Sequence, residues 1–255
     1  MAIRALFLGN TPSVSHPICY KGAMKNSNLT ELVFVLDRSG SMQGMQEPAV
    51  DSYNRFLKDQ KSVEGEANLT LVLFDTEFER LVDSRPISEV PEMGAGQFQP
   101  RGMTALLDAI GLSIRNTRRR IKEMPEDQRP AKVIFAIFTD GYENASTRYT
   151  WEQISRKISK RTVKDGWEFL FLAANRDAVA TAAKMSIDKK NASMVVYCRD
   201  GMSSWGDGVS RKAKAMREQA MDMAYCKLDM GAPLEDLVEE EMEKEKRKSA
   251  PPSAS

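Results

Sequence analysis

The chain has 255 residues, enough for one domain of about 180 residues plus an appendage. Its formal net charge of +1 gives no global reason to expect nucleic acid or an anionic membrane as partner, and no apolar stretch approaches the roughly 20 residues that span a bilayer. The three cysteines, Cys19, Cys198 and Cys226, are odd in number and widely spaced, which argues against a disulfide framework or structural zinc and favours a reducing cytoplasm.

Hydrophobic patterning predicts an alternation of strands and helices, typical of a doubly wound α/β sheet. Strands are expected at 31–36, 67–74, 77–82, 133–139, 167–173 and 193–197, and helices at 47–61, 104–121, 151–163 and 177–185. Segment 77–82 alternates apolar and polar residues, as an antiparallel edge strand does. We therefore expect a Rossmann-like, mostly parallel sheet with one antiparallel edge strand and helices on both faces.

Composition divides the chain into four parts. These are an N-terminal extension at 1–28 that is expected to be disordered, the α/β domain at 29–200, an amphipathic helix at 201–230, and a charged and Pro/Ser-rich tail at 231–255. Residues 1–23 are interpreted as dispensable or as the result of a misassigned start codon. Within the tail, 239–248 is predicted to be a solvated helix end and 251–255 to be disordered. The apolar start of the extension is too short for a secretory signal. The helix has a methionine-rich stripe, formed by Val209, Ala213, Met216, Ala220 and Met223. The stripe either packs on its own domain or docks a partner, and both alternatives stay open.

The most informative motif follows the first buried strand. Asp37, Ser39 and Ser41 come directly after the apolar run 32–36. Their alternate spacing points three hard oxygen ligands the same way, at the carboxyl end of a strand, where open α/β sheets bind ligands. One carboxylate and two hydroxyls suit a small octahedral cation that keeps some of its waters. The alternative is a serine-rich turn that caps the next helix and needs no metal.

Two further segments place oxygen ligands at element boundaries. Thr104 lies at the mouth of a predicted helix, and Asp140-Gly141 ends the predicted strand 133–139. Alone, Thr104 could serve only as an N-cap and Asp140-Gly141 only as a turn. All three segments in this order, each at a boundary, favour a shared site.

These residues resemble the metal-ion-dependent adhesion site (MIDAS) of von Willebrand factor A (vWA) domains, with no motif position missing between about Glu31 and Val196. The stretch 171–178 is similar to small bacterial and phage members of the family. The resemblance implies a Mg²⁺ or Mn²⁺ ion with direct ligands Ser39, Ser41 and Thr104 and largely water-bridged ligands Asp37 and Asp140. It also implies a last coordination position left for a carboxylate of a partner.

The sequence lacks residues that triad and phosphoryl-transfer mechanisms require. His16, the only histidine, lies in the extension, so a Ser-His-Asp or Cys-His mechanism has no base. The remaining enzymatic alternative is metal-dependent phosphoryl transfer with Asp37 as nucleophile. Such enzymes need a second aspartate two residues on as general acid, where this chain has Ser39. We expect no catalysis.

Arginines in loops at the same end of the sheet form a predicted rim. The rim consists of Arg38, Arg101, Arg148 and Arg176. It would attract an acidic partner surface, unless these are ordinary surface arginines. The run 118–120 lies near the end of a helix, where cations favour the helix dipole, and we expect it to be solvated.

The expected function is a cytoplasmic protein-binding adaptor in which Mg²⁺ or Mn²⁺ bridges to an Asp or Glu of a partner protein. The intracellular relatives that the resemblance implies act beside AAA-type ATPases, in stress-resistance systems or in phages, which indicates the classes of partner. We expect no nucleic-acid and no membrane partner. The non-enzymatic alternative is a metal-independent scaffold that acts through the helix at 201–230.

Overall fold

The computed structural model describes residues 26–174, 177–196, 199–220 and 231–249. Six strands form one sheet: β1 (Asn26–Asp37), β2 (Glu66–Phe74), β3 (Phe78–Pro86), β4 (Pro130–Thr139), β5 (Glu168–Ala173) and β6 (Ala192–Met194). The helices are α1 (Gln46–Ser62), α2 (Leu106–Glu123), α3 (Trp151–Asp165), α4 (Ala178–Lys184), α5 (Arg199–Ala220) and α6 (Leu234–Ser249). No helix within these residues is long and apolar enough to cross a membrane.

The sheet has the order β3-β2-β1-β4-β5-β6. Every pairing is parallel except β2 with β3, so the antiparallel edge strand is the predicted one. The predicted fold class is confirmed. From β1 the chain winds outward to β2 and β3, then returns to place β4 on the other side of β1. The strand order therefore reverses between β1 and β4, and open α/β sheets bind ligands at such a reversal.

Two hydrophobic layers enclose the sheet. Leu32, Phe34 and Leu36 of β1 pack on the layer that includes α1, α5 and α6. Val33 and Val35 pack on the layer that includes α2, α3 and α4. Burial on both faces explains why β1 has a continuous apolar run instead of an alternating pattern.

The methionine-rich stripe is part of the core wherever the structure describes it. Val209, Ala213 and Met216 of α5 are buried with residues of α1 and β1. Trp205, on the same helix, stacks on Phe138 of β4 with ring centroids 4.7 Å apart. The stripe therefore packs on its own domain. A scaffold that binds a partner through this stripe would need it to be accessible, and its described part is buried. The side chain of Ala220, and Met223, lie outside the described residues.

The predicted solvated helix end at 239–248 lies in a helix, but that helix begins earlier, at Leu234, and its start is packed on the domain. Residues 234–249 form α6, and Leu234, Leu237 and Val238 are buried. A Cβ on Gly208 of α5 would lie 2.7 Å from Val238 Cγ2, so glycine lets the two helices approach closely. The predicted last strand, 193–197, is also shorter in the structure, because β6 ends at Met194. Residues 1–25 of the predicted extension lie outside the described part, and 26–28 belong to β1.

Candidate metal centre

Asp37 ends β1 at the reversal of strand order, and its side chain is fully buried. Its Oδ1 accepts a hydrogen bond from the backbone N–H of Ser39 at 2.7 Å. Its Oδ2 accepts one from the Thr139 hydroxyl, at the end of β4, at 2.6 Å. Burial raises the pKa of Asp37 to about 6, with a smaller contribution from Asp140, although these hydrogen bonds act in the opposite direction. A nearby cation would favour the charged form of this carboxyl group.

The other predicted ligands lie together beside Asp37. The hydroxyl oxygens of Ser39 and Ser41 are 3.0 Å apart, and Ser41 donates to Oδ1 of Asp140 at 2.7 Å. A Cβ on Gly141 would lie 2.7 Å from Oγ1 of Thr104 and 3.3 Å from Oγ of Ser41. All five predicted ligands thus come together where three loops meet, and Gly141 leaves room for the two hydroxyls. The first loop (38–45) follows β1, the second (87–105) precedes α2, and the third (140–150) follows β4.

The helix-capping alternatives are not supported. Ser39 stands at the N-cap of a short 3-10 turn (Gly40–Met42), and its side chain makes no capping hydrogen bond. The helix α1 begins after Met45, also without a side-chain cap. Thr104 is not the N-cap of α2, which is Ala105. The hydroxyls are therefore not explained by helix capping.

The chemistry of these ligands fits a hard divalent cation. Two carboxylates and three hydroxyls are oxygen donors of the kind that Mg²⁺ and Mn²⁺ prefer. Within the described residues, no three Asp, Glu, His or Cys side chains cluster closely enough to hold a metal, so a metal at this place depends on the hydroxyls. With only Asp37 and Asp140 charged, a bound dication would keep net positive character and attract a further anion.

Asp75, which was not predicted from the sequence, connects the first and second loops. Its Oδ2 accepts from Nε of Arg38 at 2.8 Å and from Nε of Arg101 at 3.0 Å. Its backbone oxygen accepts from the N–H of Ala105. Burial acts to raise the pKa of Asp75, but the Glu77 amide and the two guanidinium groups hold it below the usual value. The signal available in the sequence was an aspartate directly after a buried strand, the same setting as Asp37 and Asp140.

Backbone hydrogen bonds join all three loops. The N–H of Gly40 donates to the carbonyl of Gly102 at 3.1 Å. Between the second and third loops, Thr104 donates its N–H to Oδ1 of Asn144 at 2.9 Å and accepts from the Asn144 N–H at 3.1 Å. The backbone of Thr104 is held on both sides, which fixes the point from which its hydroxyl projects.

The first turn of α2 is capped by residues from the third loop. Glu143 accepts from the N–H of Leu107 at 2.9 Å, and Ser146 Oγ accepts from the N–H of Asp108 at 3.0 Å. The Asp108 carboxylate in turn accepts from the N–H of Tyr149 at 2.9 Å. These contacts satisfy helix amides that would otherwise lack partners. They also fix the third loop, which bears Asp140, to the helix that follows Thr104.

The predicted arginine rim is wrong at Arg38. Its side chain is 5% exposed and lies between Asp75 and Glu79, so it is a structural ion pair. Arg101 is 53% exposed and pairs with Asp75 and Glu77. Arg148 is exposed in the third loop, and its rim role stays a prediction. Arg176 lies outside the described residues.

The arginine run near the end of α2 is not uniformly solvated. Arg120 donates to the buried carboxylate of Glu31 and to Oδ1 of Asp83, the latter at 3.0 Å. Burial raises the pKa of Glu31, although Arg120 opposes it. Arg120 is therefore a structural residue, whereas Arg118 and Arg119 are exposed.

Comparisons with known proteins find similarity in structure only. No protein-family model matches the chain, and no curated protein sequence matches it. Proximal thread matrix protein 1 of the mussel byssus is 16% identical, with 73% of this chain and 46% of that chain covered and a TM-score of 0.52. The pilus adhesin SpaC of Lactobacillus rhamnosus GG is 13% identical, with 76% and 32% covered and a TM-score of 0.54. A von Willebrand factor type A protein of Catenulispora acidiphila is 12% identical, with 78% and 43% covered and a TM-score of 0.49.

At these identities the similarity shows the fold alone. This chain spans less than half the length of each of the three solved chains. The mussel protein has also been solved with zinc in its MIDAS motif, at 15% identity and a TM-score of 0.50. The fold of the present chain is vWA-like, as the sequence resemblance implied.

Proposed function

We propose that this protein binds a partner protein through a divalent cation, Mg²⁺ or Mn²⁺. The cation would be held by Ser39, Ser41, Thr104, Asp37 and Asp140. Its chemistry when bound is that of a Lewis acid with a free position for an Asp or Glu carboxylate of the partner. An adaptor role in the cytoplasm, beside an AAA-type ATPase or in a stress or phage system, is part of the same proposal.

The observation that supports the proposal is the convergence, from three separate loops, of five side chains that carry oxygen ligands. Ser41 contacts Asp140 across 99 positions of sequence, and Thr104 comes within reach of both at Gly141. A mussel protein of similar fold holds zinc at its MIDAS motif, which makes a divalent ion plausible here. The adhesive neighbours favour a binding role.

The phosphoryl-transfer alternative has no supporting contact. Asp37 is fully buried, and each of its carboxylate oxygens already accepts a short hydrogen bond. A nucleophile must be accessible to its substrate, and the Asp37 side chain is not. Since Ser39 stands where such enzymes place a general acid, that position also has no carboxyl group to protonate the leaving group.

Titration with Mn²⁺ tests the metal part of the proposal. Isothermal titration calorimetry should show one saturable site in the wild type. Affinity should fall at least about tenfold in Ser41→Ala and in Thr104→Val, because each removes a hard oxygen ligand. The matched control is Ser62→Ala, whose hydroxyl contacts only the backbone of α1 at an exposed position. Equal affinity in all four proteins would contradict the proposed ligands.

A second experiment tests the free coordination position. Carbon-13 acetate serves as the smallest model of a partner carboxylate, and bound Mn²⁺ broadens the resonance of any carboxylate that approaches it. We expect broadening with the wild type that EDTA removes and that is absent with Ser41→Ala. Saturable Mn²⁺ binding without broadening would leave the metal site standing and show that the carboxylate bridge is wrong.

A further inference from the structure

A second candidate site lies at the opposite end of α2 from the metal centre. A cleft of about 210 Å³ opens between the last turns of α2 and α3, the first residues of β4 and the residue that precedes β5. Its charged lining is Arg118, Lys122, Arg129, Arg161 and Asp165. Its apolar lining includes Ile121, Pro130, Val133 and Trp167. Because α2 has 18 residues, its two ends are about 27 Å apart, and the cleft is separate from the metal centre.

The cleft belongs to a strongly basic face. The helices α2 and α3 together hold ten Lys or Arg and four Asp or Glu, an excess of six positive charges in a chain whose net charge is +1. The rest of the chain is therefore net acidic. Such an asymmetric distribution raises the local concentration of anions at one face without changing the overall charge.

Positive charges in the cleft are close enough to oppose one another. Burial lowers the pKa of Arg161, and Arg118 adds to this although Asp165 opposes it. Arg161 donates to Asp165 one turn further along α3, whereas within the described residues no ion pair joins Arg118 or Lys122 to a carboxylate. An anion in the cleft would relieve the repulsion that remains between Arg118 and Arg161.

Besides its positive charge, the cleft has an apolar lining, which would distinguish one anionic ligand from another. Trp167 is buried beneath it, and the guanidinium carbon of Arg161 lies 5.9 Å from the Trp167 ring centroid. This cation–π contact orients the planar guanidinium. Arginine prefers anions that accept two parallel hydrogen bonds, as phosphate does. Apolar surface beside the cations would receive an uncharged part of the same ligand.

We propose that this cleft binds a small organic phosphate, with the phosphate or pyrophosphate group at Arg118, Lys122 and Arg161 and a ring or short apolar group against Ile121 and Val133. This inference does not depend on the proposed metal site. The cleft volume limits the apolar part to a single small ring system or a short chain.

Calorimetric titration with adenosine diphosphate and with inorganic pyrophosphate tests the proposal. We expect saturable binding of both probes by the full chain, with adenosine diphosphate the tighter because its ring adds apolar contact. The double variant Arg118→Gln plus Lys122→Gln should weaken both by at least about tenfold, since two of the phosphate contacts are lost. The control variant Arg119→Gln plus Lys160→Gln also removes two positive charges, one from α2 and one from α3, at exposed positions outside the cleft. It should leave the affinity within about twofold of wild type.

Three outcomes would overturn the proposal. The first is no saturable binding of either probe at millimolar concentration in low salt. The second is an equal loss in both double variants, which would show a diffuse charge effect. The third is tight binding of a 20-nucleotide single-stranded RNA that both double variants weaken alike, which would assign the face to a polyanion. A thermal melt of each variant, expected within about 2 °C of wild type, verifies that all are folded.

Discussion

At the scale of single residues, the candidate metal centre depends on a position that has no side chain. Gly141 follows Asp140, and any Cβ there would stand closer to Thr104 Oγ1 than real Cβ contacts allow. Catalytic and binding groups must be held within about 0.5 Å of their working geometry. The glycine is thus required by the two hydroxyls beside it and not by an unusual backbone conformation.

Gly141→Ala should therefore damage metal binding more than it damages folding. The new methyl group would displace the hydroxyls of Thr104 and Ser41, and we expect Mn²⁺ affinity to fall at least about tenfold. Calorimetry measures this change. Gly96→Ala is the matched control, because its Cβ would have no heavy atom within 4 Å, and it should bind Mn²⁺ like wild type.

Asp75 is predicted to contribute more to stability than its exposed neighbour Glu77. Asp75→Asn leaves the buried Arg38 with Glu79 as its remaining charged partner, so we expect a loss of about 2–4 kcal/mol in the free energy of unfolding. Urea denaturation measures it. Glu77→Gln removes the other, 73% exposed partner of Arg101 and should change stability by less than about 0.5 kcal/mol. Equal effects of the two variants would contradict a structural role for Asp75.

At the scale of elements, α5 completes one layer of the domain. Trp205 packs between Phe138 and Phe34, and Arg217 donates to the backbone oxygen of Gln60 at the end of α1. A Cβ on Gly206 would lie 2.8 Å from the backbone oxygen of Ser52, so α5 and α1 approach closely at that point. These contacts make α5 part of the fold.

Trp205→Ala should destabilise the whole domain. Removing a fully buried indole leaves a large cavity beside β1 and β4, for which we expect a cost of about 3–5 kcal/mol in urea denaturation. Lys214→Ala, on the exposed side of the same helix with 55% of the side chain accessible, should cost less than about 0.5 kcal/mol. A Trp205→Ala protein as stable as wild type would contradict the conclusion that α5 is part of the fold.

Elements with strong local patterns were predictable, and those that depend on distant partners were not. The strands of the sheet centre are buried on both faces, so they appear as continuous apolar runs between turn residues, and the predicted ligands stand where such runs end. By contrast, α6 has only Leu234, Leu237 and Val238 as buried anchors before an acidic run, too few to indicate from the sequence that the start of this helix packs on the domain. Arg38 resembled a surface arginine because its partner Asp75 is 37 positions away.

At the scale of the whole molecule, Asp207 is one of the carboxyl groups that make stability depend on pH. Asp207 of α5 lies 3.4 Å from Arg55 and near three further acids, Asp59, Glu241 and Glu245. Burial is the main cause that raises its pKa from 3.8 to about 6, against the attraction of Arg55. A carboxyl group whose pKa is raised on folding stabilises the folded state below its unfolded value, and this contribution is lost as the pH rises through the folded value.

Asp207→Asn, which is neutral at every pH, should gain stability relative to wild type as the pH rises from 4 to 7.5. Two pKa units set an upper bound of about 3 kcal/mol, and the 20% exposure of the side chain reduces the expected gain to about 1–2 kcal/mol. Urea denaturation at both pH values measures it. Asp127→Asn, at an exposed position remote from α5, should show no such change between the two pH values. A constant difference at both pH values would contradict the raised pKa.

The separation of the candidate ligands along the chain has a consequence during synthesis. Ser39 and Ser41 leave the ribosome about 100 residues before Asp140, the length that separates Ser41 from its partner. At a synthesis rate of about 5–20 residues per second, roughly 5–20 s pass between the synthesis of the first loop and that of Asp140, which completes the candidate cation site. A nascent chain that stops before β4 and Asp140 would expose the serines but have no competent site. Unfinished chains would therefore not bind the cation that we propose for the finished protein.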